Sequence, residues 1–148
     1  MESFYINNYR KSTRLIISTI ILFAIIISVT SCARKLTFDV SPVVPAAEGT
    51  VKIKKSKNDN YLVNVKIKNL AAPKRLSPPR EVYVVWMQSD RNAPKNLGMI
   101  KTSSGLFSGT MKGEMDATAI NKPTGIFITA EDDGNVRYPG SQVVLRTR

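Results

Sequence analysis

The 148-residue sequence predicts an all-β fold, a small antiparallel β-sandwich of the Ig-like kind behind an N-terminal apolar segment. Three observations predict it. From Gly49 onward, apolar residues recur with a period of two rather than 3.6. Turn-forming pairs such as Ser104-Gly105, Lys122-Pro123 and Pro139-Gly140 cut the chain into short runs. Beyond the apolar segment no stretch carries an amphipathic helical pattern. About seven short strands at intervals of roughly 8–16 residues are the pattern of a sandwich.

The elements follow in order. Thr50-Val51-Lys52-Ile53-Lys54 alternates apolar and charged residues, and Tyr61 to Lys68 does the same with Val63, Val65 and Ile67 on one face. The polar run Ser56 to Asn60 between them predicts a β-hairpin. Its solvent face carries Lys52, Lys54, Lys66 and Lys68, with Lys55 and Lys57 nearby. A proline-rich connection, Pro73 to Pro79, leads to Glu81–Met87, which is apolar on both sides as in a central strand. Trp86 is expected to fill the space between the sheets, and Tyr83 to point to the opposite, more open side. Asn96–Thr102, Leu106–Met115 with Gly109 and Gly113 inside it, Gly125–Glu131 and Gln142–Arg146 complete the strands. Met115 to Asn121 reads as a brief helical turn. Leu36 to Val40 reads either as a short first strand or as extended tether.

The N-terminus reads as an address. Arg10, Lys11 and Arg14 precede Leu15–Val29, fifteen residues without a charge. At ~1.5 Å per helical residue the run reaches roughly 22 Å, short of a bilayer core and suited to a signal-peptide h-region. It ends in Val29-Thr30-Ser31-Cys32, which resembles the bacterial lipobox. That resemblance implies cleavage between Ser31 and Cys32 and acylation of Cys32, including a palmitate-type chain. Two or three acyl chains anchor firmly where one alone does not. Ala33, rather than Asp, lacks the usual inner-membrane retention signal and points to the outer membrane, facing the periplasm. The alternative is an uncleaved signal anchor. The expected organisation is a signal peptide over 1–31, a lipidated tether over 32–45 and a sandwich over 46–148.

Several blocks of the second half stand in a characteristic order. Tyr83-Val84-Val85-Trp86 is followed by Leu97-Gly98-Met99-Ile100, then by Ile126-Phe127-Ile128-Thr129-Ala130-Glu131-Asp132-Asp133-Gly134-Asn135 and a loop with Pro139. This order resembles the C-terminal, extracytoplasmic domain of the anti-sigma-K factor family, over residues ~46–146. The resemblance implies a small antiparallel sandwich in the periplasm. Two features depart from the family. Gly134-Asn135 replaces a Gly-Gly turn, and only 14 residues precede the apolar segment, where full-length members carry a sigma-binding module. The expectation is the extracytoplasmic half alone on a lipid anchor.

Composition narrows the chemistry. With no histidine and one cysteine, imidazole catalysis, an intrachain disulfide and a His- or multi-Cys zinc site are excluded. Glu131, Asp132, Asp133 and Asn135 form the one dense acidic cluster. Their spacing departs from a DxDxDG calcium loop and suits a strand-ending turn, so no metal is expected. Ser103, Ser104 and Ser108 lie near Lys101 and Lys112 but form no SxxK motif. Glu114 and Asp116 share a strand face with no pocket implied. No enzyme and no cofactor are expected.

The formal charge is +11, of which the first 31 residues, with three basic and one acidic, hold little. The lysines of the first hairpin suit anionic lipid headgroups, lipopolysaccharide phosphates or an acidic protein surface. Nucleic acid is not an expected partner, because Tyr61 is the sole aromatic nearby for stacking. An ordinary solvated sheet face explains the same lysines. The leading expectation is a non-catalytic envelope lipoprotein that binds a protein or envelope component. The alternatives are a regulatory partner in an envelope-stress sigma/anti-sigma pathway and a carbohydrate-binding module using Trp86 and Tyr83.

Overall fold

The computed structural model describes residues 17, 19, 33–90, 92–104 and 109–148. The chain divides into two compact units, Met1–Cys32 and Ala33–Arg148. In the first, the described residues Ile17 and Thr19 are helical. The rest of the expected signal peptide, the expected cleavage site at Ser31 and Cys32, and the lipidation expected on Cys32 lie outside the described residues.

The second unit is a sandwich of two antiparallel sheets. One sheet has the order β1-β2-β3-β7-β6, and the other β5-β4-β8-β9. The strands are β1 (Arg34–Thr37), β2 (Glu48–Lys55), β3 (Tyr61–Leu70), β4 (Val82–Ser89), β5 (Asn92–Met99), β6 (Lys101–Ser104), β7 (Met111–Ala119), β8 (Gly125–Glu131) and β9 (Val143–Arg146). Val51, Ile53, Val63, Val65 and Ile67 from one sheet pack against Tyr83, Val85, Met87, Ile126 and Ile128 from the other. Because the side-chain period of a strand is two, this buried set fixes the register of both sheets. All of this core comes from Leu36 to Leu145, so residues 33–148 carry a complete core of their own.

The hairpin expected around Ser56–Asn60 is present. Ser56 N donates to Asn60 O at 2.8 Å, and Asp59 takes the left-handed φ of 58° that a tight turn needs. At the far end of β3, Asn69 (φ 56°) forms a bulge between the Ile67–Gly113 and Leu70–Met111 pairs.

The strand expected over 106–115 is β7, Met111–Ala119, with Gly109 before it, and four other local readings change. Residues 33–45, expected as tether with Leu36 to Val40 as an alternative short first strand, belong to the sandwich, and the strand alternative holds: β1 pairs with β2, Phe38 bridges to Thr147, and Ser41 and Val44 are buried. The Asn96–Thr102 run breaks at buried Ile100, where the chain crosses from one sheet to the other. There Ile100 N donates to Tyr83 O at 3.0 Å, and a Cβ on Gly113 would lie 2.7 Å from the Ile100 side chain. Met115–Asn121 is no helical turn, because Met115 and Ala119 sit on the inner face of β7. The fourth change concerns Trp86 and Tyr83, whose environments are exchanged. Tyr83 is 1 % exposed between the sheets, whereas Trp86 is buried on the outward side of the four-stranded sheet with Val84 and Phe127. Strand alternation sends the two apart as expected; which face looks inward is set by the rest of the sheet.

Candidate functional site

The solvent face of the five-stranded sheet carries a dense set of lysines. Period-two alternation places Lys35 on β1, Lys52 and Lys54 on β2, Lys66 and Lys68 on β3, Lys112 on β7 and Lys101 on β6 on that side. Register decides which of these are neutralised. Lys66 Nζ lies 3.5 Å from Glu114 Oε1, and Lys68 stands opposite Glu48. Lys35 stands directly opposite Lys52, and Lys54 opposite Leu62. Lys35, Lys52 and Lys54 make no ion pair among the described residues and are exposed. A like-charge pair across a ladder opposes pairing, so the β1–β2 half of the face holds uncompensated positive potential.

The four-lysine face read from the sequence therefore divides. Lys52 and Lys54 belong to the uncompensated half, while Lys66 and Lys68 face acids. Lys55 turns away into the hairpin, where Asp59 Oδ1 lies 2.7 Å from its Nζ. Hydrogen bonding and attraction within this pair raise the pKa of Lys55 and lower that of Asp59. Sequence reading missed Lys35, which lay in the presumed tether. Its signal was the alternation Lys35-Leu36-Thr37-Phe38, with Leu36 and Phe38 facing the core.

The outward side of the four-stranded sheet is closed by the β8–β9 loop. Trp86 and Phe127 stand opposite each other across the ladder and stack at 6.2 Å with 13° between planes. The Arg146 guanidinium covers the Phe127 ring at 4.8 Å from its centroid. Trp86 Nε1 donates to Thr129 Oγ1 at 2.8 Å, and the threonine hydroxyl donates to Glu131, which also accepts from Gly140 N at 2.8 Å. Asn96 Nδ2 reaches the carbonyls of Gly134 and Val136, each at 2.9 Å, and holds the loop down. Arg80 braces it through Asp132 at 2.6 Å and Gln142 at 3.2 Å. The acidic cluster thus splits: Glu131 turns inward, Asp132 pairs with Arg80, and Asp133 accepts from Asn135 N. No group of three or more metal-ligating side chains occurs among the described residues.

Neither aromatic proposed for carbohydrate stacking shows a free face, since Trp86 is 0 % and Tyr83 1 % exposed. Tyr83 Oη donates to Ala71 O at 2.9 Å, and burial pushes the phenol pKa up to about 12. The cleft beside it, about 550 Å³, is lined by Lys74 and Glu81, which pair at 3.0 Å, and by Lys101. Glu114 and Asp116 lie on the lysine face, beside Lys66 and bonded to Asn64 Nδ2 respectively. Of the serines, Ser103 and Ser104 are exposed on β6, and Ser108 lies outside the described residues.

Comparison with family models, with curated proteins and with solved structures returns no match.

Proposed function

We propose that this chain is a non-catalytic, lipid-anchored protein of the cell envelope whose sandwich binds an anionic envelope component through the five-stranded sheet. The observation that carries the binding claim is the uncompensated cluster of Lys35, Lys52 and Lys54, with two lysines directly opposed across the β1–β2 ladder. An inert sheet face gains nothing from such an arrangement, because alternating signs keep strands soluble without the repulsion. The anchor claim is supported by the positive run, the apolar run and Cys32 in sequence. The likeness to anti-sigma-K extracytoplasmic domains belongs to the same proposal. It is supported by the Tyr83–Trp86, Leu97-Gly98 and Ile128–Glu131 blocks, all of them strand residues of one sheet.

Metabolic labelling with a palmitate analogue tests the anchor. A labelled mature form beginning at Cys32 is expected, and an unlabelled full-length product refutes it. Retention on a phosphate-bearing matrix tests the face. Lys52→Glu with Lys54→Glu should abolish retention, while Lys68→Glu should change it little; equal effects refute the assignment.

A further inference from the structure

The uncompensated lysines share one end of the sheet with two exposed apolar side chains. Leu62, opposite Lys54, is 46 % exposed, and Ile120, just past β7, is 74 % exposed. Leu62 pairs in register with Thr118, and Tyr61 with Ala119, the last residue of β7, so Ile120 follows immediately at the same end of these two strands. Lys54 stands directly opposite Leu62, Lys52 follows two residues along β2, Lys35 lies opposite Lys52 on β1, and Lys57 is exposed in the hairpin turn. Of the nearby acids, Asp59 is paired with Lys55, while Asp116, bonded to the neutral Asn64 amide, keeps one negative charge on this face against the lysines.

The chain enters the domain at this same end. Arg34 pairs with Ile53 and Lys35 with Lys52, so β1 starts beside the hairpin end of β2.

We propose that the hairpin end of the five-stranded sheet is a docking surface for an anionic phospholipid bilayer, with Leu62 and Ile120 entering the headgroup region and Lys35, Lys52 and Lys54 meeting the phosphates. A soluble anion or an acidic protein accounts for the lysines alone. Two exposed apolar side chains at the sheet end that also carries these lysines match a surface with anionic headgroups outside and acyl chains beneath. The inference rests on the envelope reading above and names the component as the membrane itself.

The test uses residues 33–148, which carry a complete core and lack residue 32, with co-sedimentation on vesicles. Binding is expected to mixed phosphatidylglycerol–phosphatidylcholine vesicles, to fall as salt is raised, and to be absent on phosphatidylcholine alone. Changing Lys35, Lys52 and Lys54 to Glu should weaken it at least about a hundredfold, since each cation near an anionic leaflet contributes about fivefold. Leu62→Ser with Ile120→Ser should weaken it about tenfold at unchanged charge, with the melting temperature preserved. Equal binding to uncharged vesicles overturns the proposal. So does undiminished binding by the serine pair, which would leave the face a site for soluble anions. Because the test contains no acylation site, its failure leaves the anchor standing, and failure of palmitate labelling leaves this docking surface standing.

Discussion

Trp86 Nε1 donates to Thr129 Oγ1 at 2.8 Å on the outward side of the four-stranded sheet, so the chain's single tryptophan lies in a second core outside the main one. The bond makes Thr129 the middle of a relay, accepting from the indole and donating to Glu131. A buried polar group left without a partner costs more than a hydrogen bond returns when made. Thr129→Val is therefore expected to destabilise the domain by about 1–3 kcal/mol, because it strands the buried indole N–H and leaves Glu131 Oε1 with Gly140 N as its remaining donor. Thr129→Ser should cost far less. Urea unfolding followed by Trp86 fluorescence distinguishes them, and equal midpoints for the valine variant and the parent would refute the relay.

Asn96 holds the β8–β9 loop by two carbonyl contacts, and Gly98 N in turn donates to its side-chain oxygen. Removing this clasp should open the loop locally without unfolding the sheets. Exposed Arg137 lies inside the clasped segment and supplies a trypsin site. Asn96→Ala is expected to raise the cleavage rate there about tenfold, the equivalent of one to two lost hydrogen bonds. Cleavage unchanged at Arg137, measured by mass spectrometry, would show that Arg80 and Glu131 hold the loop without Asn96.

Tyr83 ties stability to alkaline pH. Its phenol is neutral when protonated, and burial raises its pKa from 10.0 to about 12 in the folded state. Between those values the unfolded chain releases a proton that the folded chain keeps. Stability contributed by this group is therefore complete below pH 10 and falls as pH rises toward 12. Tyr83→Phe should remove this part of the alkaline loss while costing about 1 kcal/mol at neutral pH through the lost bond to Ala71 O. Denaturation at pH 8 and at pH 11 measures both. A parent and a variant that lose stability in parallel would exclude Tyr83 as the source.

The sandwich was legible because its signals are local. Val63, Val65 and Ile67 alternate with polar residues, and Ser56–Asn60 carries its own turn chemistry. What sequence could not supply is which side of a strand apolar on both faces looks inward. In β4 the alternation separates Tyr83 and Val85 from Val84 and Trp86 but carries no sign. The sign is set by long-range pairing with β8, whose Ile126 and Ile128 face the other sheet. The second core was partly visible, since Thr129 and Glu131 interrupt an apolar strand on one face with period two. Its lid was not, because the carbonyls that Asn96 reaches are 38 and 40 residues away. Lys35 was lost to a wrong boundary: prolines at 42 and 45 read as tether, yet β1 ends before them.

The Lys35–Lys52 pair sets stability against binding. Directly opposed like charges destabilise an antiparallel ladder, and opposite charges in the same place stabilise it. Both side chains are exposed, so the term is small and screened by salt. Lys35→Glu converts the repulsion into an attraction and should stabilise the domain by about 0.5 kcal/mol, raising the melting temperature by about 2 °C at low salt. The gain should fade as salt is raised. The same variant should bind anionic vesicles more weakly, because it replaces a cation on the docking surface with an acid. If Lys35→Glu lowers stability, the register of β1 on β2 is not the one described. If it raises stability and leaves anionic retention intact, the repulsive pair has no part in binding, and the uncompensated charge resides in Lys54 and Lys57 instead.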